Sequence, residues 1–251
     1  MSRSCSVAGV SGSRRSDAFA LPADRCPGPA GSVSQWHPAA NVLAMALLHD
    51  DATIAPTKDE LIGPWLRTRP WWDGEAERGP VGTFRLDDPA GEVGMECFLL
   101  GSASGSTLFV PVTYRGAPLA GAADRLVGTM EHSVLGQRWV YDAAGDPVFV
   151  ATVLDTIRTG GRQADLHLRS GDGTETVREP RTTARGEGVA TVPSHDPSAP
   201  VAVEDRADRT VVRAGDLSLT VVRRLGEAPD GPAMTGSFEG GNALRLVVVD
   251  H

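Results

Sequence analysis

The sequence predicts an α+β protein: a largely antiparallel β-sheet with two helices packed on one side, followed by a C-terminal β-rich segment. Three patterns predict it. Apolar and polar residues alternate between turns from 81 to 114, as in a meander of hairpins. Two helical stretches carry their own start signals, the second also a stop, and the last fifty residues return to alternation around short turns.

Composition bounds the answer. The chain has 251 residues, of which 41% are hydrophobic, enough for a proper core. A net charge of -8 argues against nucleic acid as a partner, because neutralising phosphates needs a basic face. Lys58 is the only lysine, an arginine skew that reads as GC-rich coding rather than chemistry. No apolar run approaches the roughly 20 residues of a membrane helix. The N-terminus lacks the pattern of a secretion signal, so no membrane partner and a cytoplasmic location are expected. Cys97 stands alone in the body, with Cys5 and Cys26 in the leader, so neither a disulfide framework nor a metal quartet is expected.

Residues 1–44 are rich in Ser, Gly, Pro, Ala and Arg without a period. They read as a disordered leader, with Met45 as the expected native start. Residues 45–169 then read as one α+β domain. Thr57 and Glu60 form a capping box, and Leu61, Ile62, Trp65 and Leu66 make one apolar stripe, so a helix kinked or divided at Pro64 is expected over 58–68. Residues 81–88, 93–99 and 107–114 follow as strands. Val93, Met95, Cys97 and Leu99 alternate with Glu92, Gly94 and Glu96, which predicts one buried and one solvated face. Further strands are expected at 127–131 and 137–142. Asp146 as N-cap, Pro147 at the first helical position, the stripe Val150, Val153, Leu154, Ile157 and the stop Gly160-Gly161 define a second helix to Thr159. A short strand is expected over 163–168. Residues 170–200 lose all periodicity and read as a flexible linker or long loop. Residues 201–251 read as strands again, at 201–204, 210–213, 217–221, 233–239 and 243–250.

Trp65-Leu66, followed after two residues by Arg69-Pro70-Trp71-Trp72-Asp73-Gly74, resembles the W-L-x-x-Q-R-W-F-x-G-K signature of the N-terminal cap of bacterial maltokinases. Tyr141-Asp142-Ala143 with Asp146-Pro147 resembles the Y-D-A-x-x-D-P stretch of the same lobe. Tyr114 to Leu119, Gly128-Thr129 and Glu131-His132 look like stand-alone proteins that carry this cap. The resemblance covers about residues 54–157. Glu75 replaces the family's lysine and Pro70 its arginine, so the anion contacts those cations would make are not implied here. After Ile157 there is no H-x-D-type loop or D-F-G-like metal site, so the resemblance implies a cap without its kinase lobe.

Two groups of residues are candidates for a ligand or partner surface. Trp71 and Trp72, with Arg69, could stack on a sugar ring and bind an anion, or could pack against the sheet and pair with a carboxylate. His132, Arg138, Trp139, Tyr141 and Asp142 are the densest polar and aromatic cluster, although Asp146 beside them already serves as an N-cap. Glu92 and Glu96 could form a carboxylate pair but read more simply as a solvated sheet face. Neither metal-ligand spacing nor a serine-nucleophile motif occurs, so no catalytic residue, cofactor or metal is expected. The family likeness implies an accessory or regulatory module in α-glucan, maltose or trehalose metabolism that binds a sugar or a carbohydrate-metabolising enzyme. An enzyme of unrecognised type, and a cap acting in trans with a sugar kinase, are the alternatives.

Overall fold

The structure is a computed structural model that describes residues 45–49, 52–72, 74, 80–101, 105–169, 175–178, 180, 182–238 and 241–250. The expected disordered leader and the question of a start at Met45 concern residues 1–44, which lie outside the described residues.

In chain order the elements are β1 (Met45–His49), β2 (Ile54–Ala55), α1 (Lys58–Leu66), β3 (Pro80–Asp87), β4 (Gly94–Gly101), β5 (Thr107–Arg115), β6 (Leu126–His132), β7 (Gly136–Asp142), α2 (Pro147–Thr159), β8 (Asp165–Arg169) and β9 (Glu175–Arg178). Six strands follow: β10 (Thr182–Gly186), β11 (Ala202–Asp205), β12 (Arg209–Ala214), β13 (Leu217–Val222), β14 (Ala233–Phe238) and β15 (Leu244–Val249). They make two six-stranded antiparallel sheets, ordered β2-β6-β7-β5-β4-β3 and β10-β14-β15-β13-β12-β11. A third, small sheet pairs β1 in parallel with β8, and β8 with β9. The described residues are therefore α+β and mostly β.

Both helices begin as their sequences dictate, and α2 also ends so, whereas α1 ends at Leu66, short of the expected Thr68. The Thr57 side chain accepts the Glu60 N–H while the Glu60 carboxylate accepts the Thr57 N–H at 2.8 Å, so the capping box closes in both directions. Pro64 sits inside α1 on its exposed side, where the carbonyl it leaves unbonded can face solvent. Asp146 caps α2 by accepting the Val148 N–H, Pro147 opens the helix, and Gly160 closes it in the left-handed conformation at φ 70°.

The helices do not share one side of the first sheet as expected. Ile62, Trp65 and Leu66 of α1 cluster with Phe98, Leu108, Val110, Val112, Met130 and Val140 on one face. Phe149, Val150, Val153, Leu154 and Ile157 of α2 cluster with Phe84, Met95, Cys97, Leu99 and Phe109 on the other, together with Val212, Leu219, Met234 and Leu246 of the second sheet. The reason is that β4 and β5 bury both faces, so each face needs a cover. The same fact corrects the half-solvated reading of β4: Glu96 is 8% exposed beneath α1. The described residues thus stack as α1, the first sheet, then α2 with the second sheet.

Residues 170–200 differ from the expected linker. They contain β9 and β10, and β10 is a full edge strand paired with β14. A bare Gly186 lets β10 press against α2; a Cβ there would lie 1.9 Å from the Thr156 carbonyl oxygen. Its T-T-A-R-G sequence buries only Thr182, Ala184 and Gly186, too little apolar content for the alternation to be read as a strand.

The second sheet also bonds directly to the first. β7 pairs with β5 only from Val112 onward, leaving the edge at residues 107–111 open. Residues 223–225 fill it: Phe109 donates its N–H to the Arg223 carbonyl at 2.9 Å and Leu225 donates to Thr107 at 2.8 Å.

Candidate functional site

The most connected polar group lies where residues 223–225 meet the first sheet. Arg223 is fully buried. Its Nη2 donates to both oxygens of the equally buried Asp142 at 2.6 and 2.7 Å, and its Nε donates to Thr210 Oγ1 at 2.7 Å. Thr210 in turn donates to Asp205 Oδ1 at 2.7 Å, and Asp205 Oδ2 accepts from Arg125 Nη1 at 2.8 Å. Two guanidinium groups thus balance two carboxylates, which a low-dielectric interior requires. Burial pushes the Asp205 carboxyl up, but the Thr210 hydrogen bond and the charges of Arg125 and Arg223 more than offset it and hold it below the usual aspartate range. The Arg223 guanidinium lies over the Trp71 indole at 4.7 Å. Next to it, Arg224 Nε donates to the Trp71 carbonyl at 3.0 Å.

This cluster takes up the first candidate group. Trp71 is fully buried and packs edge-on against Trp65 at 5.7 Å, so none of its surface is left for a sugar ring. Arg69 lies over the Trp65 indole at 5.1 Å and 3.6 Å from Asp205, the packing and pairing alternative to anion binding. Trp72 is half-buried against the α1 cluster.

The second group is not one pocket either. The Asp142 carboxylate is spent on Arg223, and the Tyr141 hydroxyl accepts the Leu119 N–H at 2.9 Å. His132 Nδ1 faces the backbone N–H groups of Val134 and Leu135 at 3.2 Å and so shapes the hairpin tip. Arg138 donates to the Leu135 carbonyl at 2.8 Å. Alternation along β7 sends Arg138 to the α1 face with Val140, while Trp139 points the other way.

On the face shared by Trp139, Arg115 stands opposite it on β5, Thr129 opposite it on β6, and Glu131 opposite Gln137. Arg115 is fixed by Asp146, whose oxygens accept its Nε and Nη2 at 2.7 and 2.6 Å and the Thr113 hydroxyl at 2.7 Å. Thr129, Glu131 and Gln137 are exposed and Trp139 is half-buried. Unlike Trp65, Trp71 and Trp72, Trp139 belongs to neither apolar cluster that packs the first sheet.

A third polar group joins α1 to β4. Lys58 Nζ bonds both Glu96 oxygens at 2.8 and 2.6 Å, and the Tyr114 hydroxyl donates to Glu96 Oε2 at 2.9 Å. Burial raises the Glu96 carboxyl, yet Lys58, Arg85 and the Tyr114 hydroxyl pull it net below the ordinary glutamate value. Burial and the Glu96 charge push the Tyr114 hydroxyl well up. Sequence reading placed Glu96 on a solvated face and passed over Arg223, Arg125 and Asp205. The one available signal was Arg223-Arg224 directly extending the apolar strand 217–222, where an arginine is either exposed or paired.

Among the described residues, no three His, Cys, Asp or Glu side chains converge to hold a metal. No helix among them is long and apolar enough to cross a membrane. Their chemistry is that of a braced β scaffold: buried Asp142 and Asp146 are committed to arginines and buried Glu96 to Lys58. Residues 65–146 match the maltokinase N-terminal cap domain, a segment running from the first signature tryptophan to the N-cap of α2 and spanning about a third of the chain. No curated protein matches the chain.

Proposed function

We propose that the chain is a non-catalytic accessory module of the maltokinase-cap type, serving α-glucan, maltose or trehalose metabolism by binding a sugar or a partner enzyme. One observation carries this reading. Within the matched segment, Asp142, Arg125, Trp71 and the β5 edge are engaged by Arg223, Arg224 and Asp205 from the C-terminal strands. The cap is therefore completed within its own chain by a second β-sheet whose interior is apolar, an arrangement suited to recognition rather than phosphoryl transfer.

Calorimetric titration with maltose, maltooligosaccharides and ATP tests it. Heat on adding sugar or a co-purified carbohydrate enzyme, without ATP turnover, is the expected result; ATP hydrolysis by the purified chain overturns it. The match to a kinase cap favours one second reading, a cap acting in trans with a separate sugar kinase. Co-purification with a kinase that lacks its own cap, and phosphotransfer that depends on adding this chain, would select that reading.

A further inference from the structure

The β6–β7 face carries a half-buried tryptophan that belongs to neither apolar cluster packing the first sheet. Trp65, Trp71 and Trp72 all pack into or against the α1 cluster, but Trp139 lies outside both clusters that pack the first sheet and has no aromatic or cation partner among the described residues. Two cross-strand pairs, Thr129 with Trp139 and Glu131 with Gln137, set a hydroxyl, a carboxylate and a primary amide around this indole. Directly opposed side chains sit about 5 Å apart and same-face neighbours on one strand about 7 Å apart. The four residues thus cover a patch about as large as one six-membered sugar ring.

Charge narrows the ligand. Arg115, the one cation opposite Trp139, is neutralised by two hydrogen bonds to Asp146. Glu131 leaves the patch mildly negative, which disfavours a sugar phosphate, a nucleotide or any other anion. An indole face matched with uncharged and acceptor groups fits a ligand with an apolar face and an equatorial rim of hydroxyls. On this basis we propose that Trp139, Thr129, Glu131 and Gln137 form a binding face for a neutral pyranose oligosaccharide. The ring stacks on the Trp139 indole. Gln137 and Thr129 give and accept hydrogen bonds to its hydroxyls, and Glu131 accepts from them. This assignment rests on the accessory-module reading and gives its sugar-binding form a location.

The test titrates the full chain with maltotetraose, and separately with cellotetraose, by calorimetry at low and high salt. Trp139→Ala is expected to weaken binding at least tenfold, and Gln137→Ala severalfold. Trp72→Phe is expected to leave it unchanged, and salt to have no effect because the ligand is uncharged. Far-UV circular dichroism and the melting temperature of each variant separate lost binding from lost folding, and Gln137→Ala keeps the test open if Trp139→Ala misfolds. Binding by the native chain that survives both Trp139→Ala and Gln137→Ala overturns this face while leaving the accessory-module reading in place. Binding that weakens markedly at high salt overturns the uncharged mode of recognition. No binding of either sugar overturns this face and the sugar form of that reading together, leaving the partner-enzyme form.

Discussion

Arg223 is the residue on which the two sheets depend most, and its environment makes its loss asymmetric. Removing the guanidinium leaves Asp142 buried without its main partner, whereas removing both members leaves an apolar gap that neighbours can partly fill. Arg223→Met is expected to cost about 3–5 kcal/mol of unfolding free energy. The double variant Arg223→Met with Asp142→Asn should cost less than the two single losses added together. Urea unfolding of the four proteins measures this, and strict additivity would mean the pair is not coupled. Glu96 carries the acid sensitivity. Its folded carboxyl lies below the ordinary value of 4.5, so its contribution is present above that pH and is lost as pH falls through the lower folded value. Glu96→Gln should therefore destabilise the protein at neutral pH and flatten the loss of stability below about pH 4.5. Melting curves across that range check it.

Among the elements, α1 and β10 show opposite kinds of constraint. The start of α1 is held by a reciprocal capping box, so Thr57→Ala is expected to cost about 0.5–2 kcal/mol in urea unfolding. β10 is held by contact distance rather than by local signals. A methyl at Gly186 would collide with the Thr156 carbonyl, which belongs to a helix that cannot yield without breaking its own bonding. Gly186→Ala is expected to lower stability by about 1–3 kcal/mol or more, measured in the same way. An unchanged denaturation midpoint would show that β10 does not press on α2 as described. The capping box could be read directly from T-K-D-E, because cap and partner lie three residues apart. The strand T-T-A-R-G could not, because its partners Phe238, Gly236 and Met234 lie about fifty residues further on.

For the molecule as a whole, the decisive feature is that α2, the first sheet and the second sheet share one apolar cluster. A cap segment and a C-terminal segment with separate cores would unfold separately. Here both segments contribute side chains to that one cluster, so the described body should unfold in one cooperative step. All four described tryptophans lie between 65 and 139, whereas strand signal comes from both sheets. Tryptophan fluorescence and far-UV circular dichroism should therefore report the same urea midpoint, and separated midpoints would refute a shared core.

What the sequence determined by itself was everything set by neighbours along the chain. The starts of both helices, the strands within 81–114, 127–142 and 201–250, and the likeness of about residues 54–157 to the maltokinase cap follow from spacings of two to four residues or from a local signature. What only the tertiary structure decided was which face each element covers and which charges are paired. Alternation predicts that one strand face is buried but not how many layers lie on the other, so Glu96 looked solvated and the helices looked like neighbours. Arg223 and Asp142 are 81 positions apart, and nothing local to either distinguishes a buried ion pair from two surface charges. Trp71 and Trp139 are alike as sequence. Long-range packing buried one beneath an arginine and left the other half-buried among exposed polar side chains.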